Sequence, residues 1–242
     1  MSDLAEGSDT GYPLAALPRT WWFPSIPGYR TEARATYVRH NLDDQPRIEA
    51  LDDQLSWLEA EAEKPEWSID HSDGGGPVRA LTPAALDAVS RGLPLPASLR
   101  LLAQRRDLQR RIRSATACYL DLGDFRTPTT ANGGYLIHLL SDQQWCRHWL
   151  LYLDTAGNEA VVTSTEPIGF DLPGDWPPPP QPVPADGSKV NLEICADSFT
   201  EFLYRFWIEN EIWFALQDGR APAQEAAPYT ARLTRSAGSP EH

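Results

Sequence analysis

Cysteine, lysine and methionine are scarce in this chain of 242 residues, which holds three, two and one of them. Cys118, Cys146 and Cys195 are an odd set with no Cys-x-x-Cys pair, each in an apolar, strand-like setting. That excludes a disulfide framework and points to reduced, packed thiols in a reducing compartment. No apolar run approaches the roughly 18 residues that cross a bilayer; Trp149 to Leu153 is typical of the longest. Met1 to Glu6 is acidic and lacks the basic and apolar regions of an export signal, so residence in the cytoplasm is expected. Positive charge is also short, with 21 Lys and Arg against 34 Asp and Glu and a net charge of −13. Such a surface repels nucleic-acid phosphates, so nucleic acid is not expected as a partner, and without a spanning run no membrane is expected either.

What is present describes a globular protein: 41% hydrophobic residues, nine of the aromatic residues Trp, and a mean hydropathy of −0.43. The length suits one large domain, or one of about 150 residues with an extension. Charge is uneven along the chain. Residues 43–73 hold eleven carboxylates against Arg47 and Lys64, whereas residues 100–113 hold six Arg against Asp107. Two opposed patches are expected, the acidic one serving either solubility or the capture of a basic partner.

Residues 1–45, rich in Pro, Gly and aromatics, read as an irregular arm packed on the main body. In the alternative, Trp21 and Trp22 form a patch for a partner or for self-association. Ile48, Leu51, Leu55 and Leu58 give a narrow apolar stripe, predicting an acidic helix from Pro46 to about Ala62. The glycines Gly74 to Gly76 lack the Lys-Ser/Thr and preceding strand of a phosphate loop, so residues 70–77 read as a linker and domain boundary. Thr82-Pro83 opens a helix that Gly92 ends, and Leu95-Pro96 precedes another carrying Leu99, Leu102, Leu108 and Ile112. The period then becomes strand-like over residues 116–122. After a turn with Pro128 and Asn132-Gly133-Gly134, strands at 135–140, 147–154 and 159–164 form an antiparallel meander whose near-continuous apolar runs suit central strands. The Pro-rich piece 173–184 reads as a stiff crossing loop, with bait for a proline-reading domain as its alternative. Val190, Leu192 and Ile194 mark a last strand, and Ser198 with Glu201 caps a helix to Leu216 whose Phe199, Phe202, Leu203, Phe206 and Trp207 share one face. Beyond Gly219 a disordered tail is expected.

Candidate chemistry is thin. His138, Cys146 and His148 fall on neighbouring strands, and with Asp142 or water they would make a tetrahedral zinc site or a Cys–His pair. A hydrogen-bonded core histidine explains His138 equally well. Ser141 or Ser164 beside a histidine is the only serine option, and no G-x-S-x-G elbow exists. Asp43-Asp44 and Asp52-Asp53 are adjacent rather than opposed across a cleft, which gives glycoside hydrolysis no foothold. No catalytic, cofactor-binding or metal residue is therefore assigned, and the chain is not expected to be an enzyme. The alternative is a metal-dependent or thiol enzyme using His138, Cys146 and His148.

The segments Leu95-Pro96 with Leu99 and Leu102, Gly134 to Leu140 with Asp142-Gln143-Gln144, His148 to Asp154, and Cys195 to Leu203 together resemble the Smi1/Knr4-like (SUKH) superfamily over about residues 80–218. The last resembles the family's closing signature, an acid and a Ser before a Phe-x-x-Phe-Leu helix. Asn132-Gly133-Gly134 comes later than the family's usual Asn-Gly-Gly, as in a divergent branch. The resemblance implies an α+β fold, with an antiparallel sheet of about four to six strands packed against helices. It also implies a non-enzymatic protein-binding module, either an immunity-type protein neutralising a toxin or a regulatory adaptor. A basic toxin domain would suit the acidic surface, and low Lys with high Arg, Ala and Pro fits a GC-rich bacterial source. The expected organisation is an arm and acidic helix over 1–77, the α+β domain over 78–218, and the tail over 219–242.

Overall fold

The computed structural model describes residues 14, 17–25, 36–48, 51–70, 81–90, 92–122, 126–128, 134–166, 168 and 192–236. Residues 71–77 of the glycine-rich linker and the proline-rich piece lie outside them.

The fold is α+β. Strands β3 (Tyr119–Leu120), β4 (Arg126–Pro128), β5 (Tyr135–Ser141), β6 (His148–Leu153), β7 (Glu159–Ser164) and β8 (Glu193–Ala196) form one antiparallel sheet. Its order is β3-β5-β6-β7-β8, and β4 lies beside the opposite end of the same β5 edge that β3 uses. All six residues of β6 are buried, as its unbroken apolar run requires of a strand covered on both faces. Pro128 lies in a strand rather than the expected turn; it ends β4, where proline is tolerated. Gly134 is needed because a Cβ there would run into the ring of Tyr152.

Helix α5 (Phe199–Gln217) closes one face of the sheet. Ser198 Oγ accepts the amide of Glu201 at 3.1 Å, and Glu201 Oε2 reaches back to the amide of Asp197 at 3.3 Å, a capping box displaced by one residue. Phe202 and Phe206 meet Trp149 of β6 with ring centroids 6.4 and 6.1 Å apart. Such aromatic contacts add roughly 0.5–1.5 kcal/mol each beyond area burial.

Among the described residues, the N-terminal arm is regular rather than irregular. β1 (Thr20–Pro24) and β2 (Tyr37–Asn41) pair antiparallel, and the amide of Ile194 donates to Pro18 O at 2.8 Å, so the hairpin continues the sheet beyond β8. Alternation along β1 places Trp21 in the core against Phe202 and leaves Trp22 half-buried. The expected acidic helix is reduced to the turn α1 (Ser56–Glu59). Asp52 Oδ1 takes the Ser56 amide at 3.1 Å, Leu55 adopts φ 57°, and like charges at helical spacing would repel. Leu55 and Leu58 reach the core regardless.

Helix α2 (Pro83–Ser90) starts on Thr82, whose Oγ1 accepts the Ala85 amide at 3.2 Å. The single helix expected after Leu95-Pro96 is two, α3 (Ala97–Gln104) and α4 (Arg106–Gln109), broken at the extended Arg105. Buried Gln109 stabilises the break by donating to Leu102 O at 2.8 Å. The expected strand 116–122 shrinks to β3 because Ala117 takes φ 49°. Nor is the tail without structure, since α6 (Ala227–Ser236) follows a 3-10 turn and buries Ala226 and Tyr229. Residues on both sides of the expected boundary at 77, among them Ile69, Leu86 and Ile112, belong to one hydrophobic cluster. Among the described residues no helix is long and apolar enough to cross a membrane.

Candidate functional site

The β5–β6 hairpin carries the residues that the sequence offered for chemistry, and the structure divides them into two groups. In the first, His138 Nδ1 lies 2.7 Å from Asp121 O, and Ser141 Oγ stands 2.8 Å from His138 Nε2 and 2.7 Å from His148 Nδ1. A carbonyl only accepts, so the proton of His138 sits on Nδ1; Ser141 then donates to His138 and accepts from His148. Burial pushes both imidazoles down to about 4, and the neighbouring His138 further disfavours charge on His148. The serine is sealed from solvent, and its hydroxyl links two core strands.

The second group is Asp142 with Cys146. Asp142 Oδ1 accepts the Cys146 amide at 2.8 Å and Oδ2 accepts its thiol at 2.9 Å, which ties the turn between the strands. Although Cys146 is an exposed residue, partial desolvation of its thiol and the Asp142 carboxylate push it up to about 11, the reverse of what a nucleophile needs. The three proposed metal or thiol residues are thus engaged separately, the histidines through Ser141 and the cysteine through Asp142. Among the described residues no three His, Cys, Asp or Glu side chains gather as ligands. Ser164, the other serine option, is also buried and accepts the Glu166 amide at 3.0 Å.

The charged segments behave differently from the expected opposed patches, because the chain lays one against the other. Lys64 N donates to Arg110 O at 2.7 Å, Ile69 N to Ile112 O at 3.0 Å and Ser114 N to Trp67 O at 2.8 Å. Along this seam Arg105 pairs with Glu59 at 3.0 Å, Arg110 with Glu63 at 3.1 Å and Arg106 with the buried Asp70 at 2.8 Å. The exposed pairs contribute little, about 0–1 kcal/mol each. Their consequence is electrostatic, since much of the carboxylate run is already matched.

The seam ends in a cleft of about 550 Å³ lined by Trp67, Trp213, Phe214, Lys64 and Arg113 among others. Its walls are preorganised. Arg113 forks onto Glu211 at 3.0 and 2.7 Å while stacking 4.0 Å from the Phe214 centroid, and Trp213 Nε1 donates to Ser25 O at 3.2 Å. Lys64 is held between Glu61 at 3.1 Å and Glu211 at 3.0 Å. Trp67 is 57% exposed and Trp145 39%, the two large apolar side chains that the described fold leaves in solvent. Both have left-handed backbones, φ 64° and 56°, which bulky residues avoid. Such strain survives only where the surroundings enforce it, here through the Trp67 carbonyl bound by Ser114.

A second cleft, of about 640 Å³, opens at the start of α5. Arg19 bridges it, forking onto Asp197 at 2.8 and 2.9 Å and reaching Asp43 at 2.8 Å. The guanidinium holds the Asp197 carboxyl below its usual range. Sequence reasoning passed over Trp67 because its cleft joins residues 64–67, 113–115 and 213–218, which no local period connects. The available signal was a Trp just after the helix-breaking Pro65 in an acidic run. Comparison with protein-family models, with curated proteins and with solved structures returns no match.

Proposed function

We propose that the protein is an intracellular, non-enzymatic protein-binding module of the Smi1/Knr4-like kind, an immunity-type protein or regulatory adaptor, that meets its partner at the Trp67 cleft. The observation that carries this reading is a large aromatic side chain held in solvent, at the mouth of a preorganised cleft, on a backbone that costs free energy to maintain. Aromatic anchors of this kind dominate binding energy at protein interfaces. A cleft near 550 Å³ also accommodates one or two side chains of another polypeptide. The acidic balance of −13 favours a basic partner, such as a toxin domain, whose encounter it would accelerate.

The test uses the product of the adjoining gene, purified in an inactive form and mixed with this protein for size-exclusion chromatography and calorimetry. A complex weakened at least tenfold by Trp67→Ala is the expected result. No complex at about 10 µM, or one indifferent to that substitution, sinks the reading; affinities weaker than this correspond to less than about 7 kcal/mol.

A further inference from the structure

We infer that the open face of the Trp67 indole receives a guanidinium or ammonium side chain from a basic segment of the partner. This rests on the proposed role of the cleft and adds the chemistry of its occupant.

The first support comes from two of the other tryptophans, each of which already carries a cation. The Arg147 guanidinium lies 3.8 Å from the ring centre of Trp22, and that of Arg205 lies 5.5 Å from Trp21. Within the cleft itself Arg113 covers Phe214 at 4.0 Å. Among the described residues no ring and no cation lies over Trp67, although it is the most exposed of the large apolar side chains. A cation within about 6 Å of an indole face is attracted by the ring quadrupole, and tryptophan is the best aromatic for this.

The second support is the charge count around the ring. Lys64 and Arg113 are matched by Glu61 and Glu211, and Asp218 is matched by Arg220 at 2.7 Å. Glu66, exposed and adjacent to Trp67, has no ion pair among the described residues. The spare charge at the rim is therefore negative, as is that of the whole chain. A cationic side chain would stack on Trp67 and face Glu66 together. An acidic segment would meet repulsion from both Glu66 and the overall field, and a neutral proline-rich segment would gain nothing from the carboxylate.

The experiment records the indole N–H signals of the full-length 15N-labelled protein during titration with acetylated, amidated peptides of equal length. The probes are alternating Gly-Arg, alternating Gly-Lys, alternating Gly-Glu, and polyproline. The Trp67 signal is assigned by its absence in Trp67→Phe, and circular dichroism checks the fold of each variant. The Arg and Lys peptides are expected to shift the Trp67 indole. Trp67→Ala weakens their binding about tenfold, Trp67→Phe retains most of it, Glu66→Gln weakens it about two- to threefold, and Trp145→Ala leaves it unchanged. The inference is overturned if the cationic peptides leave the Trp67 signal in place, or if the Glu or proline peptide moves it instead. Should the adjoining gene product bind through Trp67 while the cationic peptides do not, only the occupant is misassigned. If the cationic peptides bind at Trp67 but no protein complex depends on it, the occupant stands and the functional reading falls.

Discussion

Trp21-Trp22 and Trp67 make an instructive pair. The first is the densest apolar point of the N-terminal arm, and by composition it looks like a sticky patch; the second stands alone after Pro65 in an acidic run. In the fold their roles are exchanged. Trp21 is buried, bonds Glu209 through its indole N–H and packs on Phe202, while Trp22 is roofed by Arg147. Trp67 is left open to solvent. A concentrated apolar run is what the chain is best able to cover with its own sheet and helix, because strand alternation sends every second ring inward. A ring remains outside when its own backbone turns it there, and only three-dimensional contacts set that torsion.

The largest break in this comparison is expected from truncating each ring in turn. Trp21→Ala should lower the unfolding free energy by about 3–5 kcal/mol, through lost packing and a stranded Glu209 carboxylate. Trp67→Ala should change it by less than about 0.5 kcal/mol. Urea unfolding followed by circular dichroism distinguishes them, and equal losses would place Trp67 in the core. Acidification comes next, through the buried imidazoles. His138 and His148 are held at about 4, below the ordinary 6.5 that they regain on unfolding, so the unfolded chain binds more protons between those values. Stability is full above pH 6.5 and is lost as pH falls toward 4, by on the order of 3 kcal/mol for each imidazole. A urea midpoint that stays flat from pH 7 to 4.5 would show the imidazoles to be charged in the fold.

Smaller effects sharpen the strain argument. Trp67→Gly should be about 1 kcal/mol more stable than Trp67→Ala, because glycine occupies φ 64° without the Cβ penalty. Calorimetric melting of the two variants measures that difference, and a Gly variant less stable than the Ala one would remove the case for strain. Ser198→Ala should cost about 1 kcal/mol by freeing the Glu201 amide at the start of α5. Last, Glu59→Gln on the seam should lower stability by less than about 0.5 kcal/mol, seen as a small salt-sensitive shift of the melting temperature.

Much of the sheet was legible from residues alone. The strand Glu159–Ser164 coincides with its sequence reading, and the capped helix from Phe199 differs by one residue at its end. Those elements depend on period and on neighbours within four positions, which any local reading contains. The acidic stripe with Leu55 and Leu58 misled, since the same leucines reach the core from a single turn and a left-handed residue. The candidate zinc or thiol set was legible as a sequence neighbourhood only. Ser141 and Asp142 divide it through hydrogen bonds that spacing cannot reveal.

By itself the chain determined an α+β protein with a meander, a capped and apolar terminal helix, and an excess of negative charge, because periodicity, capping and composition are local or additive quantities. Tertiary structure alone decided that the acidic and basic runs lie against one another and pair in part, that the N-terminal hairpin extends the sheet, and that Trp67 stands in solvent. The reason is that pairing Glu59 with Arg105, or joining Trp67 to Trp213 in one cleft, depends on the path of the chain between them. The sum of the charges carries no information about that path.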